Sequence, residues 1–275
     1  MSVASEVPTE IAMGKEFPEY IALGSRLNGV PEVLTLGVRP NFYDYTAEER
    51  RLMLNAACIF YPSLNYAQYF TTIGKKIFPS VETYLYAGQK MKQTTLFNML
   101  DIPHPKTKIY LKRQFDRIEN EFSFPFIAKI PRASSRGRGV FKISGSDQLQ
   151  KYLHMTKFAY IQEFLEHEKD LRVILINYQP ILAYWRKIPQ GDFRANLFQG
   201  GVIDFDDIPA DALELASDFA RKCNFNDVGL DLLQSNGKWY LIEANMQYGR
   251  EALKKKNMVL KEIIREKLLT GTLLD

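Results

Sequence analysis

One stretch limits the fold more than any other: Val228 to Asn245, VGLDLLQSNGKWYLIEAN. Two apolar runs flank a polar, glycine-bearing turn, which is the pattern of a β-hairpin. Asp231 sits inside one run and Glu243 inside the other, with Asn245 two residues on. A carboxylate among buried aliphatics is costly unless something positive offsets it. Neither apolar arm holds a Lys or Arg, so the pattern predicts a cation from outside the chain.

Turn length decides whether these groups meet. A two-residue Asn236-Gly237 loop pairs Ser235 with Lys238, and so Asp231 with Ile242, which puts Asp231 and Glu243 on opposite faces. A three-residue loop, Ser235-Asn236-Gly237, pairs Gln234 with Lys238 and puts Asp231, Glu243 and Asn245 on one face. The three-residue loop is the expectation. Three hard oxygen donors, with room for phosphate oxygens and water, suit a Mg²⁺–nucleotide site better than a closed calcium cage. The hairpin alone leaves a plainer reading open, with the acids at exposed edges.

The 275 residues suffice for one large domain or two to three small ones. Apolar content of 46% and charged content of 25% are ordinary for a soluble globular protein. A net charge of +4 suits a small anionic ligand; without clustering it does not argue for nucleic acid. Cys58 and Cys223 are too few for a disulfide framework and read as reduced thiols in a cytoplasmic protein. The first residues lack the basic and apolar segments of a signal peptide. Leu52 to Gly74 is uncharged, but Asn55, Pro62, Asn65 and Gln68 interrupt it, so no membrane span is expected.

Along the chain, residues 1–20 read as an irregular lead-in. Val33–Val38, Ile59–Tyr61 and Lys76–Phe78 read as short strands. Thr46 to Leu54 reads as a helix opened by a Thr46/Glu49 capping box. This alternation predicts a small α/β unit, with Phe60 to Phe70 as core and loop packing. A helix over Gly88 to Leu100 ends at Asp101-Ile102-Pro103-His104-Pro105. Strands follow at Phe124–Lys129, Phe158–Phe164, Asp170–Asn177 and Ile181–Ile188, the last two as an antiparallel pair. Short and amphipathic helices fit Asp147–Leu153 and Ala210–Cys223. A C-terminal helix after Gly249 carries the stripe Leu253, Leu260, Ile264 and Leu268.

Several residues carry chemistry. Lys129 ends a strand and precedes a small-residue loop, Ala133 to Val140, whose glycines let backbone N–H groups converge on an anion. The loop matches neither a Walker A motif nor a dinucleotide fingerprint; a basic surface turn is the competing reading. Arg186 and Arg194 offer planar forks for phosphate or carboxylate, or ordinary ion pairs with nearby Asp. His104, His154 and His167 lack metal-ligand spacing.

Assembled in order, the parts are Lys90, Lys129 with its Gly loop, Gln162-Glu163-Phe164-Leu165, Asp170-x-Arg172, GDFRANLFQGG from Gly191, Gly229-x-Asp231, and Glu243-x-Asn245 with Gly249. This order resembles the ATP-grasp superfamily and, within it, the RimK group of amino-acid ligases that includes the ribosomal-protein glutamate ligase and the LysX-type ligases. The resemblance covers roughly Gly88 to Gly249. It implies an α/β fold with three parts: a small N-terminal α/β domain (1–87), an ATP-grasp domain (88–275) built on a C-terminal antiparallel sheet with helices, and a lid subdomain within it (106–158). It implies that Lys90 and Lys129 contact ATP phosphates, with Lys92 as a less well aligned substitute for Lys90. Gln162, Glu163, Phe164 and Leu165 would form the adenine hinge, and Asp170 would meet the ribose. Arg194 and Asn196, with Arg186, would act at the γ-phosphate and the reacting carboxylate. Asp231, Glu243 and Asn245 would bind two Mg²⁺ or Mn²⁺ ions. The family's Ser-Pro-Gly is here Gln247-Tyr248-Gly249, which leaves the shape of the acceptor pocket open.

The implied reaction is ATP-dependent. A carboxylate becomes an acyl phosphate, an amine attacks it, and an amide or peptide bond forms. The partners are a carboxylate and an amine, glutamate-like by resemblance, and homo-oligomers are common in the resembled group. Two alternatives stand beside it: an ATP-grasp kinase acting on a hydroxyl, and a nucleotide-binding module without turnover.

Overall fold

The computed structural model describes residues 18–131, 139–189 and 202–274. Most of the Gly loop at 133–140, and Arg194 and Asn196, lie outside the described residues.

The N-terminal strands are short and apolar. β1 (Tyr20–Ala22), β2 (Val33–Thr35), β3 (Cys58–Phe60) and β4 (Ile77–Phe78) form a parallel sheet in the order β2-β1-β3-β4. α1 (Ala47–Asn55) starts as expected: Thr46 Oγ1 accepts the Glu49 N–H at 3.1 Å, and the Glu49 carboxylate accepts the Thr46 N–H at 2.7 Å. Two expectations change here. β1 begins at Tyr20, on the boundary of the supposed lead-in, and three residues are too few to show a period. Phe60 to Phe70 is more than loop packing, since α2 (Leu64–Thr72) follows the N-cap Ser63. Its aromatics hide the helical period by lying on both sides: Tyr66 and Phe70 are buried, whereas Tyr69 is exposed. α3 (Val81–Leu85) completes this unit.

After α4 (Lys90–Met99) comes an antiparallel sheet in the order β5-β8-β6-β7. Its strands are β5 (Thr107–Leu111), β6 (Phe126–Lys129), β7 (Val140–Ile143) and β8 (Phe158–Glu163). Helices α5 (Ile118–Glu121) and α6 (Ser146–His154) cover it, and Ile118, Leu149 and Tyr152 pack onto Phe126, Ala128 and Ile161. The sequence pattern had shown neither β5 nor β7.

The third sheet has the order β11-β10-β9-β12-β13 and is antiparallel throughout. It comprises β9 (Lys169–Ile176), β10 (Gln179–Lys187), β11 (Val202–Asp204), β12 (Asp227–Ser235) and β13 (Lys238–Asn245). Residue alternation gives it two different faces. Leu171, Val173, Leu175, Leu230 and Leu232 pack on Ala212, Ala216, Phe219 and Ala220 of α7 (Ala210–Lys222). Ile174, Ile176 and Tyr184, on the other face, meet Ala22, Phe60 and Phe78 of the N-terminal sheet. The C-terminal segment joins that second core as two helices rather than one, α8 (Glu251–Lys255) and α9 (Leu260–Leu269). Asn257 breaks the helix by adopting φ +53°, yet Leu253, Leu260, Ile264 and Leu268 are all buried as the stripe required.

The last hairpin corrects the expected turn. Ser235 pairs with Lys238, so the loop is the two-residue Asn236-Gly237 form, with φ +49° and +72°. Such paired positive φ values match the twist of the flanking strands. The carboxylates still meet, because the ladder slips between Leu232↔Leu241 and Asp231↔Glu243, leaving Ile242 as the extra residue of a β-bulge. The bulge restores by one residue what the shorter turn took away. No helix among the described residues is long and apolar enough to cross a membrane.

Gly237→Ala forces a Cβ into the left-handed region and is expected to destabilise the protein by about 1 kcal/mol, read from equilibrium urea unfolding. Unchanged stability would mean that the turn relaxes to another form.

Candidate active site

The charged groups gather where the third sheet, α4 and the second sheet meet. Asp231 of β12 lies opposite Glu243 of β13 and opposite Arg172 of β9. Asp170 of β9 lies opposite Arg186 of β10. Neighbouring strands therefore present acids and bases on one face of the sheet.

These pairings correct the expected charge balance. Asp231 is offset from inside the chain, although not from its own hairpin. Arg172 donates to both of its oxygens, through Nε to Oδ1 and Nη2 to Oδ2 at 2.7 Å. Arg186 Nη2 lies 3.0 Å from Asp231 Oδ1. Arg186 also donates to both oxygens of Asp170, at 2.6 and 2.8 Å. Asp170, expected at the ribose, here holds Arg186 in place. Burial acts to raise the Asp231 carboxyl, but Arg172 and Arg186 outweigh it and hold it below the usual range. At Asp170 burial prevails over Arg186 and Arg172, and the carboxyl is raised. Burial alone would lower Arg186, yet Asp170 and Asp231 raise it, so it stays charged.

Lys90 opens α4 and reaches Glu243 Oε1 at 2.9 Å. Lys92 is exposed, so Lys90 is the lysine that this geometry brings to the site. α4 is fastened to the edge strand by Gln93, which is buried. Its Nε2 donates to the Ala244 carbonyl at 2.8 Å, and its Oε1 accepts the Ala244 N–H at 3.1 Å. That contact covers part of an otherwise open sheet edge.

Lys129, at the end of β6, points into the same cleft, whose walls include Thr94, Tyr160 and Glu243. Its Nζ lies 5.6 Å from the centroid of the Tyr160 ring, and the Tyr160 hydroxyl is 2.7 Å from Thr94 Oγ1. Burial, with Lys90 nearby, pushes the Lys129 ammonium down to about 8, against the pull of Glu243 and Asp231. A buried cation short of a dedicated counter-ion is suited to receive an anion.

Asn245 Nδ2 donates to Asp231 Oδ2 at 3.1 Å. Asp231, Glu243 and Asn245 are hard oxygen donors of the kind a divalent ion takes. Among the described residues no three His, Cys, Asp or Glu side chains converge as a metal cluster. Both Asp231 oxygens already accept from Arg172, Arg186 and Asn245, so Glu243 and the Asn245 oxygen are the donors of this set most open to an ion, with phosphate oxygens and water left to fill its other positions.

The residues expected at the hinge, Gln162 to Leu165, sit at the end of β8 and just beyond it. Glu163 accepts the Lys106 N–H at 2.5 Å and gives its own N–H to the Lys106 carbonyl at 2.9 Å. Gln162 Nε2 donates to Thr107 Oγ1 at 2.8 Å. The Phe164 ring lies under Lys142 Nζ at 3.9 Å, and the Leu165 carbonyl is 2.7 Å from His167 Nδ1. The structure thus brings Lys90, Lys129, Asp170, Arg186, Asp231, Glu243 and Asn245 together, and adds Arg172, Gln93, Thr94 and Tyr160. Arg172 carried a readable signal, a base within an apolar strand. Gln93, Thr94 and Tyr160 carried none, because their partners lie far away in sequence.

An unfolded lysine keeps its proton to about pH 10.4. Lys129 releases it near 8 in the folded chain, so the unfolded state binds more protons between these values. Stability contributed at this position therefore rises with pH across about 8 to 10. The expected result is that Lys129→Met flattens this rise relative to wild type in urea unfolding; identical pH profiles would refute it.

Residues 87–268 match the RimK-like ATP-grasp domain. A probable alpha-L-glutamate ligase of Shewanella loihica is 23% identical over 261 residues, covering 92% of this chain and 77% of its own. The coenzyme gamma-F420-2:alpha-L-glutamate ligase of Methanococcus maripaludis is 24% identical over 199 residues, 69% of each chain. Among solved structures, the ATP-grasp ligase PsnB complexed with minimal precursor, Mg and ADP superposes with a TM-score of 0.67 at 14% identity, covering 94% of this chain and 99% of that one. With the family match spanning well over half its length, this chain belongs to the RimK-like ATP-grasp family.

Proposed function

We propose that the protein is an ATP-dependent ligase that joins a carboxylate to an amine through an acyl phosphate, with a glutamate-like amino acid as the amine. The observation that carries this reading is the meeting of Lys90 and Lys129 with the Arg172–Asp231–Arg186–Asp170 array and the oxygen donors Glu243 and Asn245. Lys90, Lys129 and Glu243 line the cleft, and the array of two arginines and two aspartates lies on the neighbouring strands of the same sheet as Glu243; such a set of charges can bring a triphosphate and a carboxylate together against their mutual repulsion.

In this reading Lys90 and Lys129 bind phosphate oxygens. Arg186 is held rigidly by Asp170, so its fork stays aimed across the sheet while the acyl phosphate forms. Arg194 and Asn196 are proposed beside the γ-phosphate, and Gln162 to Leu165 against the adenine. Asp231, Glu243 and Asn245 would hold divalent ions, Mg²⁺ or Mn²⁺, whose chemistry is to offset charge on the phosphates. The division at residues 87 and 88, with a lid over 106–158, is part of the same proposal: the second sheet would close over the nucleotide and exclude water.

Three measurements test it. A screen of amino acids and dicarboxylates for stimulated ADP release should find an active pair whose product mass equals the sum minus water. With MgATP, the carboxylate and hydroxylamine in place of the amine, a hydroxamate should form with release of ADP and phosphate; ADP release with a phosphorylated alcohol instead would establish a kinase. Glu243→Gln is expected to lower turnover on the order of 100-fold, and wild-type activity would refute its role.

A further inference from the structure

Asp227 is a buried acid that the ligase chemistry does not use. It opens β12 at 1% exposure, on the same side of the strand as Gly229 and Asp231. Three groups from separate parts of the chain close on it. Arg26 Nη1 lies 2.7 Å from Oδ2, and the Tyr61 hydroxyl donates to the same oxygen at 3.0 Å. The Tyr248 hydroxyl donates to Oδ1 at 2.7 Å. Arg26 also stacks over the Tyr61 ring, 4.6 Å from its centroid.

The origins of these groups give the cluster its meaning. Arg26 follows β1 and Tyr61 follows β3, so both stand at the C-terminal edge of the parallel N-terminal sheet. Tyr248 lies in the turn that leaves β13, three residues after Asn245. One carboxylate therefore connects the N-terminal unit to the turn beside the proposed metal ligands. Asn226, the preceding residue, strengthens the same junction, since its Oδ1 accepts the Ser80 N–H at 2.8 Å.

Tyr248 is held on its other side too. A Cβ placed on Gly229 would come within 2.9 Å of Tyr248 Cβ and 3.2 Å of Arg172 Cδ. The missing side chain at Gly229 lets Tyr248 lie against β12 beside the stem of Arg172, whose guanidinium grips Asp231. Moving Tyr248 would open space along that stem. Apolar side chains would fill such a junction with less desolvation; hydrogen bonds from three directions to one buried carboxylate admit a single arrangement.

We propose that Asp227 is a positioning residue for the acceptor side of the site: by tying Arg26 and Tyr61 to Tyr248, it fixes the turn at 246–250 over Arg172. This rests on the ligase reading for what is positioned there. The latch itself does not depend on which substrates are used.

The test uses full-length Asp227→Asn, Tyr61→Phe and Tyr248→Phe. Tyr248→Phe keeps the ring against Gly229 and removes only the hydrogen bond, so it remains informative should Asp227→Asn fail to fold. Losing a charge-assisted hydrogen bond should speed amide exchange in peptides covering 246–250 and 24–28 by about ten-fold, with exchange in β9 and β12 unchanged. With L-glutamate as the probe amine, KM for glutamate should rise by about ten-fold while KM for MgATP stays constant. If wild type does not turn over L-glutamate, the choice of amine is wrong and the exchange data alone decide on the latch. Unchanged local exchange in Tyr248→Phe overturns the proposal. So does a uniform rise across all peptides, or an equal rise in both KM values, since these mark a merely structural role.

Discussion

Much of the site depends on the ion array that runs across β12, β9 and β10. Asp231 is held by Arg172 and Arg186, and Arg186 is held in turn by Asp170. All four side chains are largely withdrawn from water, which is unfavourable for each charge alone. Their alternation offsets that penalty only if the three strands keep their register. A slip of one residue in β9 would turn both Asp170 and Arg172 to the α7 side, against Ala212, Ala216 and Phe219, and swing Leu171, Val173 and Leu175 away from it. The array therefore specifies the pairing of the sheet as well as placing two guanidinium groups at the cleft.

The balance inside the cleft is deliberate in sign. Glu243 is answered by Lys90, and the two buried acids by the two arginines. Among the described residues Lys129 has no ion-pair partner, and burial together with Lys90 lowers its proton affinity against the pull of Glu243 and Asp231. An incoming polyanion is the natural remedy. Because Lys90, Lys129 and Glu243 come from α4, the second sheet and the third sheet, binding a nucleotide would draw those three parts together.

Much of the local structure was legible from local chemistry. Thr46 and Glu49 mark a helix start, and the apolar stripe of α9 is buried where its period demands. The order of lysines, glycines and acids was enough to indicate the RimK-like family, which the match over residues 87–268 bears out. The hairpin shows the limit of such reading. Its acids do share one face, but by way of a two-residue turn and a bulge at Ile242, a combination that no count of turn residues reveals. β1, β5 and β7 were missed because short strands gain their identity from neighbours rather than from their own period.

The amino-acid order by itself determined where the capped or clearly periodic helices and strands lie, that a carboxylate pair lies on the last hairpin, and which family's motifs the chain carries. Those are properties of neighbours within a few residues, where capping, alternation and turn chemistry act. Only the tertiary structure decided which charge answers which. Arg172 and Asp231 are 59 residues apart, and Arg26 and Asp227 are 201 apart. Coulombic pairing and desolvation act through space, and so the partners of a buried charge are chosen by strand register and sheet packing.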